Sequence, residues 1–149
     1  MKRITLNFID GDLHVPFVKF TSGGKDFYAI LDTGAESTFV ENRILNDFPE
    51  IIMKTKVEVQ GSYASFTGDS TMDAILSEIQ VGIETAGGEK ASLDFEATLG
   101  DISFISEKVQ KRFDYPVTLG MIAGMNFLKQ HKAKLDIAKR TVSLLVRTK

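Results

Sequence analysis

Hydrophobic and polar residues alternate along most of this chain, with the period of two that is typical of β-strands. The pattern predicts strands at 4–8, 13–20, 25–31, 56–60, 70–83 and 93–99, and a final pair at 135–146 around a turn at 138–140. Apolar residues at helical spacing are confined to three short stretches, 41–48, 105–113 and 125–131. The chain of 149 residues is therefore predicted to be all-β with a few short helices, in a single domain spanning 1–149.

One stretch joins a predicted strand to a chemically reactive side chain. Residues 27–42 read FYAILDTGAESTFVEN, so that an apolar strand ends at Asp32 and continues through Thr33 and Gly34. A carboxylate at the end of a buried strand loses hydration, and folding alone gives no reason to place one there. Gly34 frees the backbone for a sharp turn. Taken alone, Asp-Thr-Gly also suits an ordinary β-turn, and that interpretation stays open on this motif.

A second stretch, residues 117–136, reads VTLGMIAGMNFLKQHKAKLD. Its apolar run ends at Gly124, and the residues from Met125 to His131 have the spacing of a helix. By itself this pattern indicates a buried strand that runs into a helix.

The two stretches, in this order and roughly ninety residues apart, resemble the blocks of the retropepsin-like aspartic proteases, single-domain relatives of pepsin. The chain is more similar to the cellular and bacterial branch than to the viral enzymes. The resemblance implies a closed, barrel-like acid-protease fold with a flap hairpin over the substrate. The implied roles are catalysis by Asp32, Thr33 and Gly34; substrate contact by Ala35, Glu36 and the flap residues Gly61, Ser62, Tyr63 and Ala64; and structural support of the site by Ile122, Ala123 and Gly124.

The chain departs from the viral members of that family in two respects. It is longer, with the additional residues in 41–50 and 84–116, and it has Met125 where viral relatives carry an arginine. Glu36 is therefore expected to lack the ion pair made by that arginine, so the viral dimer is an unsafe template. The flap assignment rests on position alone, because residues 61–68 also suit an ordinary hairpin loop.

The resemblance implies a mechanism that one chain cannot perform. An aspartic protease needs two neighbouring carboxylates, one protonated to polarise the scissile carbonyl and one ionised to activate water. Asp-Thr-Gly occurs once, so the expected enzyme is a homodimer that pairs Asp32 with its symmetry mate and cleaves a peptide or protein substrate. Two alternatives stay open: a catalytically silent dimer of this fold that binds peptides, and an unrelated β-barrel that binds a small molecule.

Composition narrows the remaining classes of function. The chain has no cysteine and only two histidines, His14 and His131, which are expected on the surface, so neither a metal nor a cofactor is predicted. A net charge of −2 without a basic run argues against nucleic acid, and the apolar runs are too short for a membrane span. Polar residues soon after Met1 interrupt any signal-like segment, which predicts a cytoplasmic protein, although a leader removed earlier would leave no trace.

Overall fold

The computed structural model describes residues 1–10, 15–47, 51–65 and 68–148, with side chains described outside 45–46, 51–65 and 68–75. The strands are β1 (Lys2–Asn7), β2 (Phe17–Ser22), β3 (Lys25–Leu31), β4 (Phe39–Glu41), β5 (Ile51–Ser65), β6 (Gly68–Glu84), β7 (Lys90–Gly100), β8 (Leu119–Ala123), β9 (Lys134–Asp136) and β10 (Thr141–Thr148). The helices are α1 (Ile44–Asp47), α2 (Ser103–Gln110) and α3 (Met125–Gln130). Strands dominate, which confirms the predicted all-β class with short helices. None of the described helices is both long and apolar enough to cross a membrane.

Six strands close into a barrel, and a closed barrel is what the family resemblance implied. They follow the order β7, β4, β8, β3, β2 and β6, and β6 pairs again with β7. The pairs β3–β8 and β4–β7 are parallel, whereas the other neighbours in the ring are antiparallel. Outside the ring, β5 pairs with β6, and β10 pairs with β1, β9 and the start of β7. The wall is therefore continuous around β3, the strand that leads to Asp32.

The strand β3 is buried on both faces because alternate residues of a strand point in opposite directions. Ala29 and Leu31 belong to the larger hydrophobic cluster, to which all six barrel strands contribute. Tyr28 and Ile30 belong to a second cluster on the other face, which α2 covers with its own apolar residues. Burial on two sides explains why residues 27–31 of this strand are all apolar, and it gives Asp32 a rigid support.

The structure corrects several predicted boundaries. The predicted loop at 61–68 is mostly strand, because β5 continues to Ser65 and pairs with β6 as far as Gly68. Cross-strand hydrogen bonds override the weak strand preference of its small residues. Likewise, β5 begins well before the predicted 56, and α1 is shorter than 41–48. The predicted turn and strand start at 11–14, which include His14, lie outside the described residues.

Helix α2 begins at Ser103, two residues before the predicted start at 105. The Ser103 N–H donates to Oδ1 of Asp101 at 2.8 Å, and the Ile102 N–H donates to Oε2 of Glu41 at 3.0 Å. Glu41 is buried, and its carboxylate comes from β4. These two carboxylates bond N–H groups that the start of a helix leaves without intrahelical partners.

The prediction that His131 lies on the surface is wrong. Its side chain is only 4% exposed and lies 4.8 Å from the ring of Phe127, measured between centroids. Nδ1 donates to the Leu145 carbonyl at 2.8 Å, and Nε2 accepts from the Asp94 N–H at 3.2 Å. Both ring nitrogens are therefore used, and the neutral ring connects β10 to β7.

We expect the free energy of unfolding to fall as the pH is lowered through the range in which His131 gains a proton. Burial lowers the pKa of His131 below its ordinary value of about 6.5, although the bonds to Leu145 and Asp94 and the Asp94 charge oppose this. The unfolded chain then binds the proton first, so stability declines below about pH 6.5 and levels off below the folded pKa. The loss amounts to about 1.4 kcal/mol for each pH unit between the two pKa values.

Urea denaturation at pH 7.5 and pH 5.5 measures this loss. His131→Gln, which has no charge to gain, is expected to be less stable than wild type at pH 7.5 but to show a smaller difference between the two pH values. An equal pH difference in both proteins would contradict the assignment to His131.

Candidate active site

Asp32 is the first residue after β3, where the chain leaves the barrel wall. Its N–H donates to the Ala123 carbonyl at 2.8 Å, across the parallel pair β3–β8. The chain then turns, with the Gly34 N–H donating to Oδ1 of Asp32 at 2.9 Å and the Ala35 N–H donating to the Asp32 carbonyl at 3.2 Å. The backbone thus sets the direction of the carboxylate, while the Asp32 side chain stays partly accessible to solvent.

The residues predicted to act with Asp32 lie on the same turn. Thr33, Gly34 and Glu36 are exposed, and Ala35 is partly exposed. A methyl group on Gly34 would lie 3.3 Å from Oδ1 of Asp32, so a larger residue would press against the carboxylate. In the described part of the chain, no ion pair involves Glu36. The turn therefore presents two carboxylates and a hydroxyl to solvent.

The structure places Ile122, Ala123 and Gly124 next to the Asp32 loop, defined here as residues 32–38. Ile122 and Ala123 end β8, and Ala123 pairs with Leu31. A methyl group on Gly124 would overlap the Ser37 carbonyl and lie 2.9 Å from the carbonyl oxygen of Ala35. The loop and the segment after β8 approach so closely that only glycine fits at this position.

Helix α3 holds the Asp32 loop through its first N–H groups. The Met125 N–H donates to the Ala35 carbonyl at 2.7 Å, and the Asn126 N–H donates to the Glu36 carbonyl at 3.1 Å. Such groups have no partner inside a helix, so they are free to bond another segment.

Sequence reasoning missed two side chains at this junction, Thr38 and Asn126. The Thr38 hydroxyl donates to Oδ1 of Asn126 at 2.6 Å and accepts from the Gly124 N–H at 3.0 Å. The sequence patterns assign no partner to Thr38, and they make Asn126 only part of the helix predicted at 125–131. The sequence offers two signals for this hydrogen bond: a hydroxyl residue beside Phe39 and an asparagine in the first turn of a helix. Both occur often in proteins without bonding each other.

The proposed flap residues lie on the β5–β6 hairpin. Gly61, Ser62, Tyr63 and Ala64 are in β5 and pair with residues 69–72 of β6. The side chains of these four residues lie outside the described part of the structure, and so do residues 66 and 67. The hairpin is therefore a feature of the fold, whereas contact between these side chains and substrate stays a prediction.

Among the cavities lined by described residues, two open ones do not include Asp32 in their lining. One, of about 360 Å³, is between α3 and the strands β6 and β7, and the other, of about 320 Å³, is between α1, α2 and the start of β8. Among the described residues, no group of three or more His, Cys, Asp or Glu could hold a metal ion. The Asp32 loop itself carries the carboxylates of Asp32 and Glu36 and the hydroxyls of Thr33, Ser37 and Thr38.

No protein-family model matches the chain, and no curated protein matches it.

Proposed function

We propose that the protein is a retropepsin-like aspartic endopeptidase that acts as a homodimer. The observation that carries the proposal is the placement of Asp32. It follows a strand buried on both faces, one carboxylate oxygen accepts the Gly34 N–H at 2.9 Å, and the side chain is still partly open to solvent. The carboxylate of Glu41, by contrast, is buried and accepts the backbone N–H of Ile102.

The proposed mechanism requires the Asp32 carboxylates of two chains to meet across a two-fold axis. Two such close groups cannot both ionise readily, so they share one proton. The ionised carboxylate accepts a proton from water as that water attacks the scissile carbonyl carbon, and the protonated carboxyl donates a hydrogen bond to the carbonyl oxygen. The carboxyl that took a proton from water then donates it to the leaving amine, and the C–N bond breaks as the tetrahedral intermediate collapses. The pair is left with its one shared proton.

The open surface around Asp32 fits this scheme, because one chain would supply only half of the substrate cleft. Thr33 and Gly34 would lie at the two-fold axis and along the substrate groove, and the β5–β6 hairpin would cover an extended peptide. A catalytically silent dimer that binds peptides would have the same architecture with the two Asp32 carboxylates too far apart.

A subunit-mixing experiment tests both catalysis and dimerisation. A substrate is first selected from a mixed peptide library at pH 4 to 7, and wild type is then incubated with an equal amount of Asp32→Asn. Random exchange places half of the wild-type chains in mixed dimers with one normal carboxylate, so the activity falls to about half.

The control for subunit mixing is Glu107→Gln, a change at an exposed position of α2. Mixed dimers with this variant keep both Asp32 carboxylates, so added Glu107→Gln should raise the total activity. Activity that is indifferent to added Asp32→Asn, despite demonstrated subunit exchange, would show that one chain is sufficient and would overturn the homodimer mechanism.

A further inference from the structure

The Thr38 hydroxyl is fully buried and uses both its donor and its acceptor capacity. It donates to Oδ1 of Asn126 at 2.6 Å and accepts from the Gly124 N–H at 3.0 Å. Thr38 itself has no measurable exposure, so no solvent could replace either bond. A buried hydroxyl with two partners 86 and 88 residues away in sequence connects the Asp32 loop directly to the segment after β8.

Asn126 contacts three parts of the molecule at once. Its N–H donates to the Glu36 carbonyl at 3.1 Å, its Oδ1 accepts the Thr38 hydroxyl, and its Nδ2 donates to the Glu96 carbonyl at 2.6 Å. The side chain therefore joins the Asp32 loop, the first turn of α3 and the strand β7. An amide is required for this arrangement, because an aspartate would have no donor for the Glu96 carbonyl.

These bonds fix the Asp32 loop at both ends. At the start, the Asp32 N–H is bonded to Ala123, the last residue of β8. At the other end, Thr38 bonds Gly124 and Asn126, and its carbonyl accepts the Thr98 N–H of β7 at 2.8 Å. The loop between these points therefore has little freedom to shift relative to the barrel.

We propose that Thr38 and Asn126 are positioning residues that set where the Asp32 carboxylate lies relative to its symmetry mate. The inference rests on the proposed function, since only a shared pair of carboxylates makes the exact placement of the loop matter. Neither side chain needs to touch substrate for this role. A misplacement of the reacting groups by about 1 Å can lower a rate by 10²-fold, so the two hydrogen bonds of Thr38 are expected to matter for turnover.

The test compares Thr38→Val with Thr38→Ser. Valine has nearly the shape of threonine but no hydroxyl, so it leaves the Gly124 N–H and Oδ1 of Asn126 without this partner, whereas serine retains the hydroxyl. We expect kcat of the valine variant to fall by roughly 10- to 100-fold with little change in KM, and the serine variant to keep most of the activity.

The pH–rate profile provides a readout that a purely structural role would not change. A greater separation of the two Asp32 carboxylates weakens their coupling, so the acidic and basic limbs of the pH–rate profile should move closer together in Thr38→Val. Active sites are counted by titration with a statine-type inhibitor, so that kcat refers to folded dimers only. A wild-type kcat and an unchanged pH profile in the valine variant would overturn the inference.

Asn126→Asp is the second variant, for use if Thr38→Val does not fold. The Asn126 side chain borders the cavity of about 360 Å³, and the substitution hardly changes its size. It removes the donor to Glu96, so the same fall in kcat and the same change in pH profile are expected, and wild-type values for both would overturn the inference. If the wild-type protein cleaves no peptide, the proposed function is overturned, and the positioning role of Thr38 and Asn126 is overturned with it.

Discussion

Asp32→Asn is expected to abolish peptide cleavage while leaving the fold and the dimer intact. Asparagine has nearly the same shape as aspartate, and its side-chain oxygen can still accept the Gly34 N–H that bonds Oδ1 at 2.9 Å. It cannot accept a proton from water, and the substitution removes both carboxylates of a homodimer. Because one group performing general acid–base catalysis typically contributes 10²–10⁴-fold, we expect the rate to fall on the order of 10⁴-fold or more.

The measurement compares cleavage of the selected peptide by wild type and Asp32→Asn, with sedimentation and urea denaturation on the same samples. Asp101→Asn is a matched control, because Oδ1 of Asp101 accepts the N–H of Ser103, also two residues ahead, at 2.8 Å. It makes the same kind of hydrogen bond, but it follows β7 rather than β3. It is expected to retain near-wild-type activity, and an Asp32→Asn dimer that cleaves normally would overturn the proposed mechanism.

A different pair of results would favour the peptide-binding module. In this case the wild-type protein is dimeric, and both wild type and Asp32→Asn bind unmodified peptide at the same site. If wild type nevertheless cleaves no peptide at any pH from 4 to 7, the two Asp32 carboxylates do not form a catalytic pair. Preferential binding of a transition-state mimic would instead favour the enzyme, because catalysis requires tighter binding of the transition state than of the substrate.

Gly124→Ala is expected to give the largest loss of stability of the substitutions considered for the Asp32 loop. The added methyl group would overlap the Ser37 carbonyl and lie 2.9 Å from that of Ala35. Both obstacles are backbone atoms of a loop fixed at its ends, so neither can rotate away as a side chain could. Overpacking of this kind typically costs 1–3 kcal/mol, and with two backbone clashes we expect a loss of about 3 kcal/mol or more.

Denaturant midpoints of Gly124→Ala and wild type measure this loss. Gly87→Ala, in the turn between β6 and β7, is the matched control, because a methyl group there would meet only the Thr85 hydroxyl oxygen, at an ordinary 3.9 Å. The control should unfold within about 0.5 kcal/mol of wild type. Equal midpoints for the two variants would show that the loop and the segment after β8 are not packed as closely as described.

The elements that carry the proposed chemistry were predictable because their signals are local. The strand at 25–31 was predicted with the bounds it has, since a run of apolar residues ends at a carboxylate and a glycine. The strand before Gly124 and the helix after it follow from the same kind of pattern. Less was predictable for the hairpin, because Gly61 and its small neighbours form strand only through pairing with β6.

The remaining features depend on residues that the chain brings together from far apart. The burial of His131 depends on carbonyl and N–H groups of β10 and β7, and the Thr38–Asn126 pair joins positions 88 residues apart. The alternation of apolar and polar residues and the preferences of turn residues describe only near neighbours in the sequence. They were therefore sufficient to identify a strand that ends in Asp-Thr-Gly and a glycine that precedes a helix. Closure of the barrel then placed that glycine under the Asp32 loop, because hydrogen bonding between β3 and β8 aligns Leu31 with Ala123.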